Sequence, residues 1–275
     1  MSESNVSFPV SLLVITHNEE NNIARCLDSV PFVSEKLVVD SGSTDRTREV
    51  AQQHGARVVD QAWLGFGPQR NFASEQAAHD WILFLDADEA LSDSLVREFR
   101  QRLPDIIDSK AAGAMLPRSA WYMGEVMRWY RPMVGEMKGR FYHRRRARWT
   151  DTKVHESLVF EGRVLRFRRP FNHYQSPSLV HKQLKVLRYA ELWAIQRVDG
   201  KRKPRVWTYP FVFLGTFLKD YLLRLAFLDG RRGVIAAHVA ANYAVYKRFR
   251  HFELVRNPDS RRSASELLDE HRLRI

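Results

Sequence analysis

The chain has 275 residues with 44% hydrophobic content, ordinary for a globular protein and enough for a full core plus an extension. Its net charge of +12 is uneven: residues 1–100 carry 8 Lys/Arg against 16 Asp/Glu, and residues 101–275 carry 36 against 16. The single cysteine, Cys26, excludes an internal disulfide and suits a reducing compartment, and residues 1–9 lack the basic and apolar regions of a signal peptide. The expectation is a protein that stays inside the cell, whose basic C-terminal part meets an anionic partner: nucleic acid, an anionic membrane surface or a phosphorylated acceptor.

The first 90 residues alternate strand and helix signals. Val10–Ile15 is a continuous apolar run ending in Thr16-His17-Asn18, and Ala24, Leu27 and Val30 recur at helical spacing within a predicted helix from Glu19 to Ser29. Lys36–Asp40 reads as a second strand followed by the turn Ser41-Gly42-Ser43. Ser43 or Thr44 is placed to cap the next helix, with Asp45 in its first turn. Arg57–Asp60 is a short third strand. Gly65-Phe66-Gly67-Pro68 breaks the chain before a helix from Gln69 to His79, and Trp81–Leu85 forms a fourth strand. Such alternation predicts an α/β fold with a mainly parallel, right-handed wound sheet.

Asp86-Ala87-Asp88 follows directly on that fourth strand. Two carboxylates at a strand's carboxyl end face the crevice where open α/β sheets bind ligands. Carboxylate oxygens suit hard divalent cations, which are commonly shared with substrate phosphates, so the pair points to a metal bridging protein and a phosphorylated substrate.

Four segments in order carry a resemblance: Val14-Ile15-Thr16-His17-Asn18-Glu19, Val38 to Thr47, Gly67-Pro68-Gln69-Arg70-Asn71, and Leu85-Asp86-Ala87-Asp88-Glu89. Together they resemble the nucleotide-sugar-binding half of family 2 glycosyltransferases of the GT-A fold. Val154-His155-Glu156, His173-Tyr174 and Phe227-Leu228-Asp229-Gly230 are similar to the branch that adds β-1,4-linked glucose to the inner-core heptose of bacterial lipopolysaccharide. The resemblance implies a metal-dependent, inverting hexosyltransferase using UDP-glucose or a similar donor. Asp88 would ligate Mn²⁺ or Mg²⁺ and Asp86 would hold the ribose. Asp40 would accept from the uracil N–H, Thr16 and Asn18 would line the nucleotide pocket, and Arg70 would contact uracil or diphosphate. An inverting transferase needs a general base; Glu156 is favoured by the resemblance, with Asp151 its rival.

The remaining basic segments have several readings. Arg140 to Arg148 interleaves arginines with aromatics, the composition of a nucleic-acid surface, yet no such binding module accompanies it. Its position suits an acceptor site for phosphorylated core sugar through Arg144, Arg145 and His155; a sheet edge with solvated arginines is the plain alternative. Lys201-Arg202-Lys203-Pro204-Arg205 leads into the aromatic-rich run Val206–Leu218, which Lys219 and Asp220 interrupt before the ~20 apolar residues that would span a bilayer. This suits a helix in the membrane interface or a buried helix. The expected organisation is a GT-A catalytic domain over residues 1–180 and a helical, basic, membrane-interfacial region over 181–275. The expected location is the cytoplasmic face of the inner membrane, with a lipid-linked acceptor. A family 2 transferase acting on polyprenyl phosphate or another surface glycan, and a basic nucleic-acid-binding protein, are the alternatives.

Overall fold

A computed structural model of the chain describes residues 6–130, 137–151, 157–174, 178–204 and 207–260. Four parallel strands lie in the order β3 (Arg57–Asp60), β2 (Val33–Asp40), β1 (Phe8–Thr16) and β4 (Trp81–Asp86). Helices α1 (Ile23–Asp28), α2 (Thr47–Gln53) and α3 (Phe66–Gln76) occur in the connections between them. The apolar runs become strands buried on both faces. Leu12, Val14, Val38, Leu83 and Leu85 pack with Ile23 and Leu27 of α1 and with Leu95, Phe99 and Leu103 of α4 (Asp93–Ile107). The alternate residues Leu13, Ile15, Leu37, Val39, Ile82 and Phe84 pack with Ala73 and Ala77 beyond the opposite face.

Beyond β4 the sheet changes direction. β8 (Met137–His143) runs antiparallel to β4, pairing Trp81 with His143 and Leu83 with Phe141; β6 (Gly113–Tyr122) pairs antiparallel with β8. The order continues through β12 (Phe171–His173) to β5 (Glu89–Leu91), which pair antiparallel with His173 opposite Glu89. β11 (Val164–Arg166) adds to the side of β6, and β9 (Ala147–Trp149) and β10 (Leu158–Phe160) form a separate hairpin. The result is a mixed α/β sheet, mostly parallel where the sequence predicted it.

All three helix starts in this half differ from the expectation, α2 beginning only at Thr47 with Arg46 at its N-cap. α1 begins at Ile23, because Glu19 to Asn22 form turns in which the Glu19 N–H bonds to Thr47 Oγ1 and the Asn22 side chain donates to the Glu19 carboxylate. α3 starts at Phe66 and runs through Pro68. Proline is tolerated in a first turn, where its missing N–H has no intrahelical partner, so the break falls on Gly65 at φ +101°.

The chain divides into two compact units: residues 1–119 with 135–173, and residues 120–134 with 174–275. The second unit therefore takes in the hairpin in which the last residues of β6 pair with β7 (Glu125–Met127), ahead of the helices. It contains α5 (Leu179–Asp199), α6 (Tyr209–Leu218), a π-helical turn Lys219–Leu223, a 3-10 turn Ala226–Asp229 and α7 (Gly230–Arg256). The Phe227-Leu228-Asp229-Gly230 segment has a structural use here: the Asp229 carboxylate accepts from the backbone N–H groups of Arg128, Trp129 and Tyr130. Tyr130 donates to Asp220 at 2.8 Å, and burial together with that carboxylate pushes the phenol pKa well up. A two-pronged ion pair from Arg250 to Glu191 ties α7 to α5.

Candidate active site

Register alone gathers the first site residues. Thr16 lies opposite Asp40 and Ile15 opposite Asp86, so the carboxyl ends of three neighbouring parallel strands form one level row. The Thr16 hydroxyl at this rim is buried and has no hydrogen-bond partner among the described residues. An unsatisfied buried hydroxyl costs about 1–3 kcal/mol, which a ligand's polar group would recover.

The loops over this row are built from its own residues. Asp40 accepts from the N–H groups of Gly42 and Ser43 at 3.2 and 2.9 Å and from the Ser43 hydroxyl, fixing the turn after β2. Asn18, at φ +57°, donates its N–H to Ser43 Oγ and accepts from Thr44 N–H at 2.8 Å, which staples the β1 loop to that turn. Asp45 accepts from the Thr47 N–H and hydroxyl and from Glu20 N–H; these bonds hold its carboxyl below the ordinary range against the opposing effect of burial. Asp45 lies just outside α2, which starts at Thr47 with Arg46 at its N-cap and Glu49 as the acid of its first turn, so neither Ser43 nor Thr44 caps the helix and Asp45 instead ties the turn ahead of it. His17 contacts the Ser41 carbonyl.

Asp86 is the centre of an ionic chain. Its carboxylate takes Arg70 at 3.2 Å and Arg140 at 2.6 Å, and Arg140 reaches Glu89 at 2.5 Å. Glu89 returns to Asp86 by accepting its backbone N–H at 3.1 Å. Burial alone would raise both carboxyls. The guanidiniums of Arg140 and Arg70 overturn this at Asp86 and hold it well below the usual carboxylate range. At Glu89 burial wins over Arg140, aided by the Asp86 charge, and the pKa is raised. The Asp86 side chain nevertheless keeps 31% exposure, so one edge remains open to a ligand.

α3 supplies the third wall through three successive side chains. Gln69 donates to Ser41 Oγ and the Gln61 carbonyl and accepts from Leu64 N–H, pinning the β3–α3 connection. Arg70 is buried, stacked at 4.5 Å on Trp149 and 4.8 Å on Phe84, and it orients Asp86. Asn71 mimics a strand partner: its amide donates to the Trp149 carbonyl at 2.9 Å and accepts from Trp149 N–H at 3.1 Å. Gly67 makes this docking possible, because a Cβ there would lie 1.9 Å from the Thr150 carbonyl oxygen.

Trp149 and Thr150 lead into the segment that carries the expected base. Thr150 and Ser157 exchange two hydrogen bonds at 3.0 Å, closing the segment's base, and Asp151 lies within 3.5 Å of the Asn71 amide. Glu156 and His155 lie outside the described residues.

Asp88 faces His173, with Oδ2 3.1 Å from Nε2. Arg118 Nη1 stands 3.2 Å from His173 Nδ1. A guanidinium only donates, so Nδ1 accepts and the ring proton sits on Nε2, directed at Asp88. Among the described residues no group of three or more His, Cys, Asp or Glu side chains is gathered as a metal cage. A diphosphate-bridging cation needs fewer protein donors, since waters and phosphate oxygens complete its shell. Asp88 Oδ2 and His173 Nε2, 3.1 Å apart, are close enough to reach one ion together. The donor set thus fits a divalent cation, with one condition: Nε2 must lose its proton and Arg118 must release Nδ1.

Arg144 and Arg145 are not brought to this site. Because β8 is antiparallel to β4, they stand at its amino end: Arg144 bonds Asp80 at 2.8 Å and the Ser74 and Ala77 carbonyls, and Arg145 pairs with Asp80 at 3.1 Å. β4 separates Asp80 from Asp86 by roughly 20 Å of strand. The acceptor-binding expectation for these two arginines therefore gives way to a capping role. Arg140, four residues earlier, is the one that enters the site. In the sequence Arg140 is only one arginine of the basic run, and Glu89 and His173 occur only as members of segments that carry the resemblance; the structure makes all three site residues.

A wound α/β sheet that presents Asp-x-Asp at the carboxyl end of a central strand, beside a row of polar strand ends, is GT-A-like. The comparison with known families specifies it: residues 11–172 match the model of glycosyl transferase family 2, and the chain belongs to that family. It is 32% identical over 251 residues to the lipopolysaccharide core biosynthesis glycosyltransferase LpsC of Rhizobium meliloti, covering 86% of this chain and 89% of that protein. A glycosyltransferase of Rickettsia typhi is 29% identical over 252 residues, covering 84% and 82%. Among solved structures, Staphylococcus aureus TarS covers 90% of this chain and 91% of its own at 13% identity and a TM-score of 0.45. Glucosyl-3-phosphoglycerate synthase of Mycobacterium tuberculosis, solved with Mn²⁺, UDP and glucosyl-3-phosphoglycerate, covers 50% and 57% at 23% identity and a TM-score of 0.37. The protein is a glycosyltransferase and a homologue of a lipopolysaccharide core enzyme.

Proposed function

We propose that this enzyme transfers a hexose, glucose being the favoured one, from a UDP-sugar to a heptose of the lipopolysaccharide inner core with inversion. It acts peripherally on the cytoplasmic face of the inner membrane on a lipid-linked acceptor. The observation that carries the donor half is the level row Thr16, Asp40 and Asp86 beside the Asp88–His173 pair. The acceptor half rests on the likeness to LpsC over most of both chains. Family membership decides for an enzyme over a nucleic-acid-binding protein.

In this reading Asp40 and Thr16 receive the base, and the open edge of Asp86 takes the ribose hydroxyls. Asp88 and His173 hold Mn²⁺ or Mg²⁺, which would neutralise the charge developing on the leaving diphosphate. Arg70 and Arg140 fix the Asp86 carboxylate, and Asn18 shapes the loop instead of touching the ligand. Glu156, with Asp151 as rival, takes the proton of the acceptor hydroxyl; His155 beside it assists acceptor binding. A calorimetric titration with UDP, with and without Mn²⁺, tests the donor half: metal-dependent binding is expected, and its absence sinks the reading. Incubation with truncated lipopolysaccharide or polyprenyl phosphate and a panel of UDP-sugars then separates the two acceptor classes by the mass of the product.

A further inference from the structure

The second unit carries two features that sugar transfer does not use. The first is an apolar ridge. α6 buries none of its own residues; Phe211, Leu214 and Leu218 share one face of it at spacings of three and four, with Trp207 in the turn just before the helix and Leu222 in the π-helical turn after it. Trp207 is 77% exposed, and Phe211 and Leu223 are each 79% exposed. A soluble surface rarely leaves so continuous an apolar stripe uncovered.

The second feature is a cluster of cations. Arg197 Cζ lies 4.5 Å and Lys247 Nζ 5.0 Å from the centre of the same Trp193 ring, and Lys247 is also 4.8 Å from the Tyr243 ring. Arg248 follows on α7, and Lys219 closes the end of α6. Among the described residues no carboxylate forms an ion pair with Arg197, Lys247 or Arg248. Burial lowers the Lys247 pKa, and repulsion from Arg248, Arg197 and Lys219 lowers it further. Lys219 also pairs with Asp220 at 3.9 Å, whereas Arg197, Lys247 and Arg248 crowd one another with no counter-charge among the described residues, an arrangement relieved when an anion lies among them. Tyr209 and Phe213, each two residues from Phe211 and so on the far side of α6 from the ridge, meet Phe249 and His238 of α7 at 5.5 and 5.4 Å, so α6 packs on α7 near its cationic end with the ridge turned outward.

We propose that this unit is an anionic-phospholipid docking face: the α6 ridge enters the interface while Arg197, Lys219, Lys247 and Arg248 receive lipid phosphates. The ridge selects a lipid surface over a free phosphate, because a soluble anion has no use for it. No helix among the described residues is long and apolar enough to cross a membrane, so the ridge lies in the interface plane. The proposal deepens the peripheral-membrane reading and is independent of the transfer chemistry.

The test is flotation of the full chain with phosphatidylcholine vesicles, with and without one-third phosphatidylglycerol, at low and high salt. Wild type is expected to float with the anionic vesicles, poorly with the neutral ones, and less at high salt. Arg197→Gln with Lys247→Gln removes two charges and should lower partitioning by about 25-fold, at roughly five-fold per charge. Phe211→Glu with Leu223→Glu changes only exposed side chains and should abolish flotation with the cations still in place. Equal recovery on both lipids, wild-type flotation of both variants, or displacement by millimolar inorganic phosphate would overturn the proposal. UDP titration of the same preparations reads the donor site separately. Lost flotation with intact UDP binding strikes this inference and the peripheral placement it deepens while leaving the transfer reading standing, and lost UDP binding with intact flotation strikes the transfer reading alone.

Discussion

Replacing Arg140 by Met removes the cation shared by Asp86 and Glu89 while keeping most of the apolar stem, and it should unmask a pH-dependent instability. Arg140 is buried and bonds both carboxylates at 2.5–2.6 Å, so its loss leaves the buried Glu89 without a cation and the partly exposed Asp86 with Arg70 alone. Breaking such a buried pair costs about 3–5 kcal/mol. Glu89 already has a raised pKa with Arg140 present; without that cation burial and the Asp86 charge raise it further, and the side chain takes up a proton. The direction follows from linkage. A carboxyl whose folded pKa lies above its unfolded value of about 4.3 gives full stability below that value and loses it as pH rises through the folded pKa. In that window the native variant binds one more proton than the unfolded chain, so its deficit against wild type should grow by up to about 1.4 kcal/mol per pH unit. At neutral pH the melting temperature of the first unit should drop by roughly 10 °C, at about 2–4 °C per kcal/mol. Thermal unfolding followed by circular dichroism from pH 5 to 8 measures this, and adding Glu89→Gln should flatten the pH dependence. A deficit below about 1 kcal/mol, or one constant across that range, would refute the assignment of a buried, proton-accepting Glu89.

Other consequences are checked by simpler measurements. Asp88→Asn or His173→Ala should abolish metal-dependent UDP binding in calorimetry, whereas Arg118→Met should strengthen metal binding near neutral pH by freeing His173 Nδ1; weaker binding in that variant would contradict the tautomer deduced here. Glu156→Gln should preserve UDP binding and lower transfer roughly 10²-fold or more, and the same loss in Asp151→Asn with Glu156→Gln unaffected would reassign the base. Gly67→Ala forces a Cβ to within 1.9 Å of the Thr150 carbonyl, so α3 must move off the β9 end. Transfer should fall and the melting temperature should drop by several degrees, a shift that Gly215→Ala, where a Cβ meets nothing within 4 Å, should not reproduce.

Much of the first unit was legible in the chain because its signals are local. Runs such as Leu12–Ile15 and Trp81–Leu85 are apolar at every position, which only a strand covered on both faces tolerates, and the polar residues ending them fall at the binding edge of the sheet. Thr16, Asp40 and Asp86 could therefore be found from strand ends alone. Arg70 was found too, though as a ligand contact; its place in an aromatic box against Asp86 depends on Trp149, 79 positions later.

Tertiary structure decided what sequence separation conceals. Arg140 reaches Asp86 across 54 residues and His173 reaches Asp88 across 85, each carried there by an antiparallel strand whose partner and register no local pattern encodes. The same register explains the arginines misplaced by the sequence reading. Arg140 and Arg144 are four residues apart, yet β8 directs the first toward the binding edge and leaves the second capping the opposite end of β4, because an extended strand turns small sequence steps into long distances. Composition showed that the C-terminal part was basic and aromatic; only the packing of α5, α6 and α7 showed which cations crowd together and which apolar face is left uncovered.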